Sequence, residues 1–166
     1  MHKFVIPIIA LVLLSCTDQG LSPQDRDFNI QFKFGVGGRN ELNTFQNTYT
    51  KDLVMDGTVT VSLVLSENEL QEIEARLVES GFFSFPDTLT VSPDDSLYIS
   101  IEPHAMFYFR VKHQSTVKTL YWDDSIVPFY TDVRRKKLQD IVVFVSNIIT
   151  RKPEFLSLPP ARGSYR

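Results

Sequence analysis

Residues 65–86, LSENELQEIEARLVESGFFSFP, constrain the fold more than any other stretch, because the start, face and stop signals of one amphipathic helix occur there in order. Ser66 is placed to cap the N-terminus and Glu69, three residues on, to reach back to the cap, the reciprocal arrangement of a capping box; Leu65 and Leu70 flank it as a hydrophobic staple. Leu70, Ile73 and Leu77 recur at i, i+3 and i+7 with Val78 beside them, while Glu67, Glu72, Glu74 and Arg76 take the other face. Gly81 supplies a left-handed helix end, Phe82 stands where such an end contacts Leu77, and Pro86 stops the run. A helix with one apolar side needs a layer to cover, and the remaining chain must provide it.

Strand patterns supply that layer. Phe28, Ile30, Phe32 and Phe34 alternate with Asn29, Gln31 and Lys33, the period of a half-buried strand. A glycine-rich loop follows over residues 35–43, then a less regular strand over 44–54 around Phe45 and Tyr49. Asp56-Gly57 is a hairpin signal, after which Val59, Val61, Leu63 and Leu65 alternate with Thr58, Thr60 and Ser62. Beyond Pro86, residues 87–95 read as a turn-rich connection. Leu97, Ile99 and Ile101, a turn at Glu102 to Ala105, and Phe107, Phe109 and Val111 predict one hairpin over residues 97–111; a further turn at His113 to Ser115 leads into residues 117–122 and completes a meander. Leu138, Ile141, Val142, Val145, Ile148 and Ile149 mark a second helix from about Asp132 to Thr150, with Pro153 just past its end. The predicted order is β-β-β-α-β-β-β-α, an α+β fold of mainly antiparallel sheet with two amphipathic helices packed on it. Thirteen Phe and six Tyr suit such a strand-rich chain. Residues 27–152 are expected to form one domain, and the tail 153–166 is too rich in proline to extend the last helix.

The first sixteen residues give an address. Lys3 precedes a mostly apolar run from Phe4 to Leu14, too short for a stable bilayer span, which reads as a secretory signal over residues 1–15. Leu13-Leu14-Ser15-Cys16 resembles the bacterial lipobox, and the only cysteine of the chain stands at the position that would be lipidated. The resemblance implies a mature protein starting at Cys16, acylated there, with residues 17–26 as a polar tether, held outside the cytoplasm on the outer face of the cytoplasmic membrane or in an outer membrane. The plain alternative is an ordinary signal peptide followed by an unpaired thiol. Without Lys3 the mature chain has 16 basic against 20 acidic side chains, a net charge of −4, which argues against a nucleic-acid partner.

Motifs for chemistry are sparse. Gly35, Gly37 and Gly38 follow a strand, but neither a helical period nor Lys-Ser/Thr follows them, so a turn is favoured over a phosphate loop. If exposed, Gly35, Val36, Gly37, Gly38, Arg39 and Asn40 form a candidate contact surface for a partner. His104 and His113 lie at turns without zinc-ligand spacing, and Asp94-Asp95 and Asp123-Asp124 are adjacent pairs that read as solvated turns rather than a calcium loop. No catalytic residue, metal site or cofactor is assigned. Arg134, Arg135, Lys136 and Lys137 read as a solvated first helical turn, with an acidic partner or lipid headgroups as the sharper alternative. Trp122 is expected at the edge of the core.

The order of parts is similar to that of the emfourins, small inhibitors of thermolysin-like metalloproteases. The resemblance rests on a first strand ending in FGVGG, a helix entered from LS and left through GFFSFP, and VKTLYWDDSIVP leading into a last helix. The chain also resembles bacterial lipoprotein domains with a DGTVT strand (Asp56 to Thr60), an LSxxEL helix (Ser66 to Leu70) and FFSxPD (Phe82 to Asp87). Residues 39–54 and the LPPARGSYR tail depart from the emfourin pattern. The resemblance implies a protein-binding lipoprotein whose glycine-rich loop meets a secreted metalloprotease, and the absence of any catalytic motif argues against an enzyme. The alternative is a structural or accessory envelope lipoprotein without inhibitory activity, whose partner is another envelope protein.

Overall fold

The computed structural model describes residues 22, 23, 26–89, 98–128 and 132–166. The predicted leader, Cys16, most of the tether, the Asp94-Asp95 pair and Leu97 lie outside these residues. Four strands, β1 (Phe28–Phe34), β2 (Asn40–Asn43), β3 (Thr48–Asp52) and β4 (Thr58–Ser62), lead into α1 (Glu67–Ser80) and a 3-10 turn at Phe82–Ser84. Five more follow, β5 (Thr88–Leu89), β6 (Tyr98–Ser100), β7 (Met106–His113), β8 (Thr116–Asp123) and β9 (Ile126–Pro128), and then α2 (Val133–Thr150) and α3 (Pro153–Leu156). The fold is α+β, as the sequence predicts. One seven-stranded sheet has the order β4-β3-β2-β1-β7-β8-β5, antiparallel except for the parallel β5–β8 pair, and β6 with β9 forms a separate ribbon.

Alternation in β1 decides which side of the sheet is covered. Phe28, Ile30 and Phe32 are buried on one face, and register places Val111 opposite Ile30 and Phe109 opposite Phe32. The Phe32 and Phe109 rings stack at 4.6 Å, and Phe107 stacks on Trp122 at 4.2 Å. Leu70, Ile73 and Leu77 of α1 and Leu138, Ile141, Val145 and Ile149 of α2 close over this face. Burial of each such side chain stabilises the fold by roughly 1.5–3 kcal/mol, which makes this layer the main source of stability. Gln31, Lys33, Glu41, Thr50, Thr60, Tyr108 and Arg110 share the opposite, polar face by the same registers. A sheet packed on one side and wet on the other is what antiparallel pairing permits.

The ends of α1 match their sequence signals. Ser66 Oγ accepts from Glu69 N at 3.3 Å, the Glu69 carboxylate accepts from Ser66 N at 2.7 Å, and Gly81 at φ 79° donates to the carbonyls of Leu77 and Val78. Val78 itself lies outside the buried stripe and is exposed.

Several local expectations are corrected. Residues 40–43, NELN, are a strand and not loop, because the β1–β2 ladder matches Phe32 with Leu42 and buries both. Four strands therefore precede α1, and the strand read over 44–54 is confined to Thr48–Asp52. The hairpin predicted over 97–111 does not form. β6 pairs with β9, whereas β7 pairs with β1 and β8, the arrangement that sets Phe107, Phe109 and Val111 into the core. Trp122 is 1% exposed, well inside rather than at the edge.

Candidate functional site

The glycine-rich segment leaves β1 at Phe34 and is pinned at once. The Gly35 carbonyl accepts from Gly38 N and from Met106 N, both at 2.9 Å, and Val36 forms an antiparallel bridge with Ala105, just before β7. Gly35, Gly37 and Gly38 have φ of 86°, 62° and 63°, a backbone region that costs a residue with a Cβ about 1–2 kcal/mol. Two consecutive left-handed residues at 37 and 38 turn the chain back toward β2. A Cβ on Gly35 would also lie 2.7 Å from Asn40 Nδ2. The loop is a tight, fixed corner.

Of the six candidate contact residues, Gly37 and Arg39 are exposed and Gly35, Val36, Gly38 and Asn40 are half-buried. Asn40 is bonded inward: Nδ2 donates to the Phe34 carbonyl at 3.3 Å, and Oδ1 accepts from Asp52 N at 3.0 Å and Tyr49 Oη at 3.4 Å. Arg39 Nη1 donates to Tyr165 Oη at 2.9 Å, and its Nε lies 3.9 Å from the Asp52 carboxylate. Burial raises the Tyr49 pKa to about 12, so its hydroxyl stays protonated. Cys16, the lipidation candidate, lies outside the described residues.

The tail approaches the same corner. α3 sets Phe155 against Tyr49, ring centroids 5.7 Å apart, and Lys51 Nζ stands 4.7 Å over the Phe155 ring while donating to the Pro159 carbonyl at 2.9 Å. Arg162 bridges in parallel to Val54 and pairs through two nitrogens with the Asp56 carboxylate. That hydrogen-bonded pairing holds the Asp56 carboxyl below its ordinary value. Tyr165, Asp52 and Arg162 were not read from the sequence as site residues. Their polar, aperiodic setting gives no local signal, since their contacts span more than a hundred positions.

The remaining candidates are held apart. The basic run is divided among separate partners: Arg134 with Asp132, Arg135 with the Asp124 carboxylate and the carbonyls of Asp123 and Ile126, Lys136 with Asp140, and Lys137 with the Ser80 carbonyl. Arg135 is therefore a tie between α2 and β8 and not a solvated residue. Asp123 and Asp124 are half-buried, and Asp123 accepts from Tyr121 Oη and Ser125 N, both at 3.1 Å, and from the Ser125 hydroxyl. Burial pushes the Asp123 carboxyl up, but these donors outweigh it and leave the group below its ordinary value. His104 Nδ1 lies 3.2 Å from Glu102, before β7, and His113 Nε2 lies 3.3 Å from Glu74, at the far end of that strand. Among the described residues no three His, Cys, Asp or Glu side chains gather as a metal site, and no helix is long and apolar enough to cross a membrane.

No protein-family model matches the sequence, and no curated protein does.

Proposed function

We propose that this chain is a membrane-anchored bacterial lipoprotein, held through lipid on Cys16, whose domain binds a protein partner at Gly35, Val36, Gly37, Gly38, Arg39 and Asn40 and inhibits thermolysin-like metalloproteases. It acts by binding, not catalysis. The observation that carries this reading is the pinned loop, in which three left-handed glycines, a bond from Met106 and a β-bridge to Ala105 fix a corner that leaves Gly37 and Arg39 facing solvent. A preformed surface loses little conformational freedom on docking, the property a tight inhibitor needs. The lipobox-like end of the leader supports the anchor, and the resemblance to emfourins supplies the protease class.

The decisive measurement is a titration of protein lacking residues 1–21 against secreted thermolysin-like metalloproteases, following peptide hydrolysis. Stoichiometric loss of activity is expected; full activity throughout the set with well-folded protein would sink the reading. The inward bonding of Asn40 favours a second reading, in which the loop only braces the sheet and the protein is an accessory envelope lipoprotein. Replacement of the exposed Arg39 by Glu separates the two, since it weakens inhibition under the first reading and changes no protease rate under the second.

A further inference from the structure

The cation of the glycine-rich corner is held by a residue 126 positions away. Tyr165 Oη accepts from Arg39 Nη1 at 2.9 Å and donates to Asp52 Oδ2 at 2.6 Å, so one hydroxyl joins a guanidinium to a carboxylate. Both bonds have a charged partner, which makes them shorter and stronger than neutral ones. Asp52 is in turn fixed, because Oδ1 accepts from Val54 N at 3.0 Å and its own N–H donates to Asn40 Oδ1 at 3.0 Å. Asn40 returns to the Phe34 carbonyl. The network thus runs from the residue that enters the loop, through the two that leave it, to the tail. The Asp52 side chain is only 6% exposed whereas that of Arg39 is 42% exposed, so Tyr165 covers the acid and grips the guanidinium without enclosing it.

We infer that Tyr165 is a positioning residue of the loop's contact surface, orienting Arg39 outward to receive a carboxylate of the protein partner. This rests on the loop being that surface. An acidic group is the chemistry that fits: Asp52, the carboxylate nearest to Arg39, stands 3.9 Å from Nε and is engaged by Tyr165 and Val54. A guanidinium is a planar fork suited to bidentate recognition of a carboxylate, and one already oriented loses less freedom when the acid arrives. The site then includes Asp52 and Tyr165, and the tail belongs to it.

Tyr165→Phe removes the hydroxyl and keeps the ring. In protein lacking residues 1–21, which retains the whole core described above, this change is expected to weaken inhibition about five- to tenfold, the scale of one lost hydrogen bond. Arg39→Ala should weaken it at least as much, and the double variant no more than Arg39→Ala alone, because the two residues act as one unit. A partner-independent readout is the Arg39 Nε–H signal in a nitrogen-15 spectrum, expected to be resolved in the native protein and averaged in Tyr165→Phe at an unchanged unfolding midpoint. An averaged signal in the native protein overturns the inference. Unchanged inhibition by Tyr165→Phe overturns it as well and leaves the loop reading standing. Absence of inhibition by the native protein overturns the protease reading and the partner half of this inference together, and a resolved Arg39 signal then assigns the failure to the loop and not to Tyr165.

Discussion

The helix-covered face of the sheet and the corner where the tail meets the β3–β4 hairpin are held by different physics. On the covered face Phe32, Phe109, Trp122, Ile73 and Val145 are essentially inaccessible to solvent, and the stabilisation is apolar burial. At the corner Arg162, Asp56, Lys51 and Tyr165 join by hydrogen bonds and ion pairs at or near the surface. Burial contributes in proportion to area and is not screened by salt, whereas exposed ion pairs contribute little and are screened. The covered face therefore sets whether the chain folds, and the corner sets how one loop is presented.

Four perturbations test that division, in descending order of effect. Phe109→Ala leaves a hole among Phe32, Phe82 and Trp122 and should cost about 3–5 kcal/mol in urea unfolding. A loss under about 1 kcal/mol would mean the core is not organised around β7. Gly37→Val should cost about 1–2 kcal/mol through its left-handed backbone, while Gly37→Asn, better tolerated there, costs less. Equal losses would show that the glycine-rich loop presented by the corner relaxes and is not pinned.

Glu69 links the two regimes, since it closes the α1 cap and accepts from Lys152 Nζ at 2.6 Å. Burial pushes its carboxyl up, but the bonds from Lys152 and Ser66 outweigh that and leave it below its ordinary value. A depressed folded pKa stabilises fully above the unfolded value of about 4.3, and that contribution fades as pH falls through the lower folded value. Glu69→Gln should therefore cost about 1 kcal/mol at neutral pH and flatten the fall in unfolding midpoint between about pH 5 and pH 3. A variant with the native slope would remove Glu69 from the acid response. The smallest effect belongs to Arg162→Ala, which should leave the unfolding midpoint unmoved but speed hydrogen exchange at the Met55 amide, bonded to the Arg162 carbonyl at 3.3 Å. High salt should have the same effect on the native protein; a clear drop in midpoint would make the corner part of the folding core.

The same contrast explains what could be read in advance. Leu70, Ile73 and Leu77, with Ser66, Glu69 and Gly81 at the ends, announce α1 because caps and stripe are local. β1 and the β7–β8 hairpin follow from alternation and a two-residue turn at Gln114 and Ser115. β2 was missed because Asn40, Glu41 and Asn43 look like loop, and only pairing across to β1 makes them strand. The β6–β9 ribbon was missed because adjacency along the chain suggested β6 with β7, while the apolar face of β7 matches β1. Of the candidate site, the glycines were legible as a turn, and the structure leaves Gly37 and Arg39 of it exposed. Asp52 and Tyr165 were not, because a polar bond between distant segments leaves no periodicity in either.

The central place of β1 also bears on the order in which the molecule is made. Its β2 edge is covered by residues that follow within a few positions, yet its other edge waits for β7, where Phe28 meets His113. Until that segment emerges, a growing chain exposes an unpaired phenylalanine-rich edge, the kind of surface that recruits other strands. Slow delivery of residues 106–113 should therefore yield aggregates nucleated at β1, even though the finished sheet hides that edge completely.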